Sequence, residues 1–145
     1  GEPVIHLDGD ELRQALGETT YNREDRLSLG KRYARICRLI SRQKVNVVIA
    51  VIGLFQELHE WNRNNIPGYL EIFLDVPMEE LQRRDPKGLY KKARMGELKD
   101  VAGLDMQVDL PQNPHVHLTW KPGMTIEMMW ENFQTGIDKA ISVPR

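Results

Sequence analysis

The 145-residue sequence has a single cysteine, no long apolar run and almost no net charge. Cys37 cannot form an intrachain disulfide, and because it lies in an apolar helical stripe we expect a buried, reduced thiol. No stretch approaches the roughly 20 apolar residues of a membrane span, and the N-terminus lacks the charged-then-apolar pattern of a signal peptide. The net charge of −1 argues against nucleic acid or an anionic membrane as partner, because both need a dominant basic field. A cytoplasmic protein is therefore expected, in which local basic clusters can still bind small anions.

The apolar residues alternate between short strand-like runs and helix-like stretches, which is typical of an α/β domain with a parallel sheet. A length of 145 residues fits a single domain, and no change of composition marks a second one. Strands are predicted at 4–7, 45–52, 69–75 and 116–118, and helices at 10–16, 22–43, 55–64, 78–84 and 125–141. The run 45–52 is nearly all apolar and β-branched, so we expect a central strand covered on both faces.

Two of the predicted helices carry apolar faces. The helix at 22–43, with Asn22 as a plausible N-cap, should pack through Leu29, Tyr33, Ile36, Cys37 and Ile40. The helix at 125–141 should close the domain through Ile126, Met129, Trp130, Phe133, Ile137 and Ile141, with Met128 as a further packing residue.

Residues 85–100, DPKGLYKKARMGELKD, combine five cations with two glycines and have no clean apolar period. Pro86, Gly88 and Gly96 would break any long helix here. Two interpretations remain open on the pattern alone. The segment is either a mobile cationic flap over a polyphosphate or a solvated surface helix of mixed charge.

The sequence Asp8-Gly9-Asp10 follows the first predicted strand, at the end where ligands of parallel sheets bind. Paired carboxylates in this place can hold Mg²⁺ or accept a proton from an attacking hydroxyl. Capping of the next helix explains the same residues equally well.

Three motifs together resemble those of the adenylylsulfate (APS) kinases: LDGDELR at 7–13, EDR at 24–26 and RDPKGLYKKARMGELKD at 84–100. The resemblance extends from Val4 to about Leu118. It implies a three-layer P-loop kinase-like fold, in which a parallel sheet is flanked by helices and residues 85 to about 104 form a mobile lid. It also implies ATP and Mg²⁺ as cofactors, a nucleotide as acceptor, transfer of the γ-phosphoryl group to the 3′-hydroxyl of adenosine 5′-phosphosulfate, and a homodimer.

The resemblance assigns roles to individual residues. Asp10 would lie beside Mg²⁺ and the acceptor hydroxyl with support from Asp8, while Arg13 and Arg26 would grip the anionic part of the acceptor, as suits a guanidinium fork. In the lid, Lys87, Gly88 and Leu89 would approach the acceptor, and Arg84, Lys91, Lys92 and Arg94 would lie near the phosphates.

The family's phosphate-binding loop, G-x-x-x-x-G-K-S/T, normally precedes the DGD motif and does not occur in this sequence. Either it lies in residues that precede Gly1 in the whole protein, or the protein lacks it and cannot hold ATP in the usual way. We expect the former, because a parallel sheet without its first strand would expose apolar edges.

Further departures concern the acceptor pocket. Gly53 stands where the family has a serine, Leu29 aligns with an asparagine, and the two phenylalanines that sandwich adenine align with Tyr21 and Val101. Loss of one stacking ring removes roughly 1–3 kcal/mol of base binding. Adenylylsulfate is therefore one candidate acceptor and cytidine diphosphoramidate, from capsular polysaccharide synthesis, is another. A non-catalytic nucleotide-binding domain remains a third alternative.

Overall fold

Strands and helices alternate along residues 2–142, the part of the chain that the computed structural model describes. The strands are β1 Val4–Asp8, β2 Asn46–Ala50, β3 Ile72–Asp75 and β4 Val116–Thr119. The helices are α1 Gly9–Ala15, α2 Arg23–Ser41, α3 Gln56–Asn65, α4 Met78–Arg84, α5 Leu89–Arg94 and α6 Ile126–Ser142. Every predicted strand and helix is present, and α5 is an additional short helix within the cationic segment.

The strands form two parallel pairs. β1 pairs with β2, with His6 opposite Val48, and β3 pairs with β4, with Phe73 opposite His117. Within residues 2–142 the two pairs share no ladder of hydrogen bonds. Because paired strands run in the same direction, Asp8 ends beside Ala50. The turns after β1 and β2 therefore lie close together.

On the side of the molecule that contains β1 and β2, the apolar core lies where α2 meets α3. Ala34, Phe55 and Leu58 are buried together, and Leu27 packs at their edge. The helices approach closely at Gly30, where a Cβ atom would lie only 2.9 Å from Leu58 Cδ2. A side chain at position 30 would therefore displace the side chain of Leu58.

Helix α2 has the predicted cap and a buried stripe. Asn22 Oδ1 accepts a hydrogen bond from the backbone N–H of Asp25 at 3.0 Å. Cys37 is buried as predicted, and desolvation raises the pKa of its thiol. Within residues 2–142, none of the helices is long and apolar enough to cross a bilayer.

Two packing predictions are wrong for the described residues. β2 is not covered on both faces, because α2 packs against it while alternate side chains, such as the 53 % exposed Val48, remain open. Helix α6 packs on β4 around Gly136, where a Cβ atom would meet Val116 Cγ1 at 2.6 Å. This narrow contact leaves much of the predicted apolar face exposed, including Ile126, Met128, Trp130 and Ile141.

Candidate active site

The two carboxylates of the Asp8-Gly9-Asp10 turn have different tasks. Asp8 caps helix α1, since its Oδ1 accepts hydrogen bonds from the backbone N–H groups of Asp10 at 2.8 Å and Glu11 at 3.1 Å. Helix capping was one of the two interpretations that the sequence left open, and it is the role of Asp8. The carboxylate of Asp10 takes no part in that cap and is 71 % exposed. Asp10 is therefore the acid that can face a ligand.

Contacts from β2 and α2 hold the Asp8-Gly9-Asp10 turn in place. A Cβ atom on Gly9 would lie 2.9 Å from Val51 Cγ1 and 3.2 Å from the carbonyl oxygen of Ala50, so only glycine fits between the turn and the end of β2. The hydroxyl of Tyr33, a buried residue of α2, donates a hydrogen bond to the carbonyl oxygen of Gly9 at 3.0 Å. Tyr33 was predicted only as a packing residue. Its hydrogen bond to a backbone atom could not be predicted from the sequence.

The cationic segment reaches the turn through Lys87. Its ammonium donates a hydrogen bond to Asp10 Oδ2, and this contact raises the pKa of Lys87. Both side chains are exposed. The structure thus brings a predicted lid residue, Lys87, to the predicted catalytic acid.

Arg13 and Arg26 converge on Tyr21. Their guanidinium carbons lie 4.3 Å and 5.3 Å from the centre of the Tyr21 ring, which is half-exposed. Burial, and then the neighbouring charge of Arg13, lowers the pKa of Arg26. Two cations held this close favour a bound anion.

Both arginines are fixed by backbone carbonyls. Arg13 donates to the oxygen of Thr20 at 2.5 Å, and Arg26 Nε donates to that of Tyr21 at 2.6 Å. Arg26 Nη2 also donates to the carbonyl oxygen of Asp100, at the end of the cationic segment, at 2.9 Å. Arg26 therefore links the ring of Tyr21 to the far end of the predicted lid.

A third group of contacts surrounds the turn after β2. The Gly53 carbonyl oxygen accepts from Phe55 N at 3.0 Å and lies 2.6 Å from His59 Nε2. Asp109 Oδ2 accepts from the backbone N–H of Gln56 and from Arg23, both at 3.2 Å. Asp109 thus caps α3, which has no side-chain cap of its own from Phe55. Sequence reasoning missed Asp109, since the partners are more than 50 residues apart.

Leu29 and Val101 lie in the core, not on the open surface of the site. Their exposed fractions are 2 % and 8 %. In this arrangement neither side chain offers surface to an acceptor. Their predicted role as acceptor contacts stays a prediction.

Asp85 and Gly88 shape the start of the predicted lid. Asp85 has a φ of +26° and its carboxylate accepts from the backbone N–H groups of Tyr90 and Lys91, at 3.1 Å and 2.9 Å. Gly88 precedes α5 with a φ of +65°, a left-handed conformation that glycine adopts without steric cost. Leu89 is partly exposed, Lys91 and Lys92 are exposed, and Arg94 donates to Gln82 Oε1 at 3.2 Å.

Arg84, predicted near the phosphates, is held at the base of the lid. It donates to Glu80 Oε1 at 2.6 Å and lies 5.3 Å from the ring centre of Trp120. Arg83 donates to both oxygens of the buried Glu80 carboxylate. These hydrogen bonds, that of Arg83 first, lower the pKa of Glu80 to about 2.

A cavity of about 520 Å³ opens elsewhere, between α6 and the amino ends of β3 and β4. Its polar lining includes Arg63, Tyr69 and His115. Arg63 and Tyr69 are tied to the buried Glu71 carboxylate, at 3.2 Å and 3.0 Å. None of the predicted site residues lines it, and the chemistry-bearing side chains lie at the opposite ends of the strands. The candidate site is an open surface around Asp10.

No three His, Cys, Asp or Glu side chains within residues 2–142 come together as a ready-made metal site. Mg²⁺ commonly binds one or two carboxylates, with water and substrate phosphates completing its shell. The exposed carboxylate of Asp10 fits that mode of binding.

Comparison with known proteins identifies relatives over most of the chain. A family model described as adenylylsulphate kinase matches residues 1–119. The cytidine diphosphoramidate kinase of Campylobacter jejuni is 38% identical over 109 residues, covering 75% of this chain and 64% of that protein. The adenylyl-sulfate kinase of Pseudomonas aeruginosa is 32% identical over 139 residues, covering 94% of this chain and 67% of that protein.

A solved structure has the same fold. The APS kinase of Mycobacterium tuberculosis, in complex with AMPPNP and APS, matches with a TM-score of 0.83 and 30% identity over 95% of this chain and 82% of that chain. The predicted α/β kinase-like fold, with parallel strands flanked by helices, is thereby confirmed. The chain spans 63–65% of the length of the first curated relatives that it matches.

Proposed function

Because the chain belongs to the adenylylsulphate kinase family, we propose that it transfers the γ-phosphoryl group of ATP to the 3′-hydroxyl of adenosine 5′-phosphosulfate. The observation that carries the proposal is the meeting of Asp10, Lys87 and the Arg13–Tyr21–Arg26 cluster at the carboxyl ends of β1 and β2. In the reaction, the acceptor's 3′-oxygen forms a bond to the γ-phosphorus. The bond from that phosphorus to the β,γ-bridging oxygen breaks, ADP leaves, and the hydroxyl proton is released.

Asp10 orients the acceptor hydroxyl and takes its proton or passes it to water. Phosphoryl transfer of this kind depends chiefly on positioning and on charge neutralisation. The exposed carboxylate of Asp10, held by the cap at Asp8 and the tight turn at Gly9, suits that task. Mg²⁺, bound beside Asp10, would neutralise negative charge on the phosphates of ATP.

The acceptor's anionic group binds to Arg13 and Arg26, and its base lies on Tyr21. The support for this placement is the half-exposed ring of Tyr21 and the convergence of the two guanidinium groups on it. A planar guanidinium can donate two parallel hydrogen bonds to an oxyanion. Stacking on the single ring of Tyr21 contributes roughly 1–3 kcal/mol.

Lys87 moves with the lid. It donates a hydrogen bond to Asp10 Oδ2. In the working complex its charge is placed beside the phosphoryl group and the acceptor. Lys91, Lys92 and Arg94 follow it on α5 and supply further positive charge to the phosphates.

We also propose that the whole protein contributes a further strand with a phosphate-binding loop. The two strand pairs share no hydrogen bonds within residues 2–142, and Val48, Ile52 and Leu74 are exposed. A strand joining the pairs would cover such residues, and its loop would hold the ATP phosphates. The coding sequence before Gly1 tests this: a G-x-x-x-x-G-K-S/T motif followed by a helical pattern supports it. Without one, the non-catalytic nucleotide-binding alternative would be favoured.

The main test is a coupled assay of ADP release by the whole protein, with adenylylsulfate as acceptor. Asp10→Ala should abolish turnover while leaving acceptor binding, measured by calorimetry, largely intact. Glu11→Ala is the matched control, since Glu11 is the exposed acid next in the chain. Normal turnover by the Asp10 variant would remove Asp10 from the mechanism.

A second candidate reaction has a different acceptor, such as cytidine diphosphoramidate. It is favoured by Gly53, which cannot supply the family's serine hydroxyl, and by the 38% identity to the Campylobacter jejuni enzyme. The same assay with both acceptors decides between them. Efficient turnover of adenylylsulfate, with no turnover of cytidine diphosphoramidate, would exclude this candidate.

We further place the protein in the cytoplasm as a homodimer, in keeping with its buried, unpaired thiol and with the family resemblance. Light scattering on the purified whole protein and fractionation of the producing cells test the two statements separately.

A further inference from the structure

Asp105 holds the peptide at the end of the lid. Its two carboxylate oxygens accept hydrogen bonds from the backbone N–H groups of Asp100 at 3.0 Å and Val101 at 2.7 Å. Asp100 has a φ of +60°, a left-handed conformation that L-residues other than glycine adopt at a cost. The two accepted hydrogen bonds offset that cost.

The loop that carries Asp105 is itself anchored. Val101 and Met106 are buried, and the Met106 N–H donates to the carbonyl oxygen of Val101 at 3.3 Å. The N–H of Gly103 donates to the carbonyl oxygen of Met106 at 3.1 Å. Asp105 is therefore presented to Asp100 from a closed turn and not from a loose loop.

The peptide that Asp105 fixes is the one that Arg26 contacts. The carbonyl oxygen of Asp100 accepts from Arg26 Nη2 at 2.9 Å, while that of Tyr21 accepts from Arg26 Nε at 2.6 Å. These two carbonyls grip the guanidinium from two sides and determine where its remaining N–H groups point. A rotation of the Asp100 peptide would break the hydrogen bond from Arg26 Nη2.

We propose that Asp105 is a positioning residue for the acceptor site. By holding Asp100 in its left-handed conformation, it directs the Asp100 carbonyl to Arg26 and so orients Arg26 toward the anionic group of the acceptor nucleotide. This inference rests on the proposed function for Arg26. It adds a residue that touches neither substrate nor phosphates.

The first test is steady-state kinetics of the whole protein with Asp105→Ala and Asp105→Asn. Asp105→Ala should raise the KM for the acceptor about tenfold, since two charge-assisted hydrogen bonds are lost, and change kcat and the KM for ATP by less than about twofold. Asp105→Asn keeps one accepting oxygen and should give an intermediate value. Asp138→Asn, an exposed acid on α6, is the matched control.

A rescue experiment separates positioning from general support of the loop. Glycine adopts a positive φ without steric cost. Asp100→Gly should therefore restore part of the acceptor KM in the Asp105→Ala background, measured against the Asp100→Gly single variant. An equal rise in both KM values, a loss of kcat alone, or no rescue would overturn the proposal.

An NMR measurement keeps this inference separate from the proposed function. The Nη2–H signal of Arg26 reports its hydrogen bond to the Asp100 carbonyl directly, and it should shift in Asp105→Ala but not in Asp138→Asn. If the wild-type protein turned over neither acceptor, the proposed function would fail. An Arg26 signal unchanged in Asp105→Ala would then still refute the positioning role.

Discussion

Lys87 donates a hydrogen bond to Asp10 across 77 positions of sequence. The family resemblance placed both residues in the site, but it did not predict that they contact each other. In this ion pair the ammonium of Lys87 offsets the negative charge of the exposed Asp10 carboxylate. A cation of the predicted lid thereby contacts the carboxylate that we assign to the acceptor hydroxyl and Mg²⁺.

Replacing Lys87 with methionine should loosen the lid without lowering the melting temperature. Both partners are exposed, and such ion pairs add little to global stability. Hydrogen exchange of the backbone amides at 86–99 should become faster. Lys99→Met, which removes an exposed lysine from the same segment, is the control. Equal exchange in the wild type and in Lys87→Met would show that the contact does not restrain the lid.

Tyr33→Phe should reduce both stability and turnover. It keeps the buried ring but removes the hydrogen bond to the Gly9 carbonyl, which is worth about 1 kcal/mol in the free energy of unfolding. The turn that carries Asp10 loses its support, so kcat should fall. Tyr69→Phe, the control, removes a hydrogen bond to the Glu71 carboxylate, before the start of β3, and should cost about 1.5–3 kcal/mol because that acceptor is charged. Urea denaturation and the coupled assay should show a loss of stability for both variants but a loss of kcat only for Tyr33→Phe.

Leu29→Asn restores the family's residue but should destabilise the fold. Leu29 is 2 % exposed, so the amide would be buried among apolar side chains at a cost of about 3 kcal/mol in the free energy of unfolding. Leu39→Asn, at a well-exposed leucine of the same helix, should have little effect. If Leu29→Asn instead gave a lower KM for adenylylsulfate with unchanged stability, Leu29 would be identified as an acceptor contact.

Glu80 should make the protein sensitive to acid. Its hydrogen bonds to Arg83 and Arg84 lower the pKa of Glu80 from 4.5 to about 2. The contribution of Glu80 to the free energy of unfolding is therefore complete above about pH 5. That contribution is lost as the pH falls through 4.5 toward about 2. Glu80→Gln should therefore lose stability at neutral pH and show a flatter decline in acid, when urea midpoints are compared across this range. Glu79→Gln, an exposed neighbour, should follow the wild-type curve.

Cys37 should be unreactive in the native protein. Burial raises the pKa of its thiol, which lowers the fraction of nucleophilic thiolate, and the side chain is shielded by α2 and its neighbours. Iodoacetamide should modify Cys37 slowly in buffer and quickly in urea, as measured by mass spectrometry. Rapid, complete labelling without denaturant would contradict the buried assignment.

Much of the fold could be predicted because its signals are local. The apolar β-branched run before Gly53 predicted β2, Asn22 predicted the start of α2, and the strand-to-helix turn located Asp8 and Asp10. Burial depends on what packs against a face, and the sequence of one element does not contain that information. The open face of β2 and the exposed Trp130 were therefore missed.

The supporting contacts of the site could not be predicted from the sequence for a different reason. Tyr33, Asp105 and Asp109 act on backbone N–H and carbonyl groups, which every residue possesses. A pattern of side-chain types cannot show which peptide group such a residue will meet. Arg26 was assigned to the acceptor by resemblance, whereas its hydrogen bond to the Asp100 carbonyl is visible only in three dimensions.

The two unjoined strand pairs have a practical consequence for anyone who purifies residues 1–145 alone. Unpaired strands with exposed Val48 and Leu74 can add strands from other copies, so self-association should rise steeply with concentration. Aggregation, seen as turbidity, would then limit any assay of these residues. Working with dilute samples, or adding polar residues at these two positions, is the corresponding remedy.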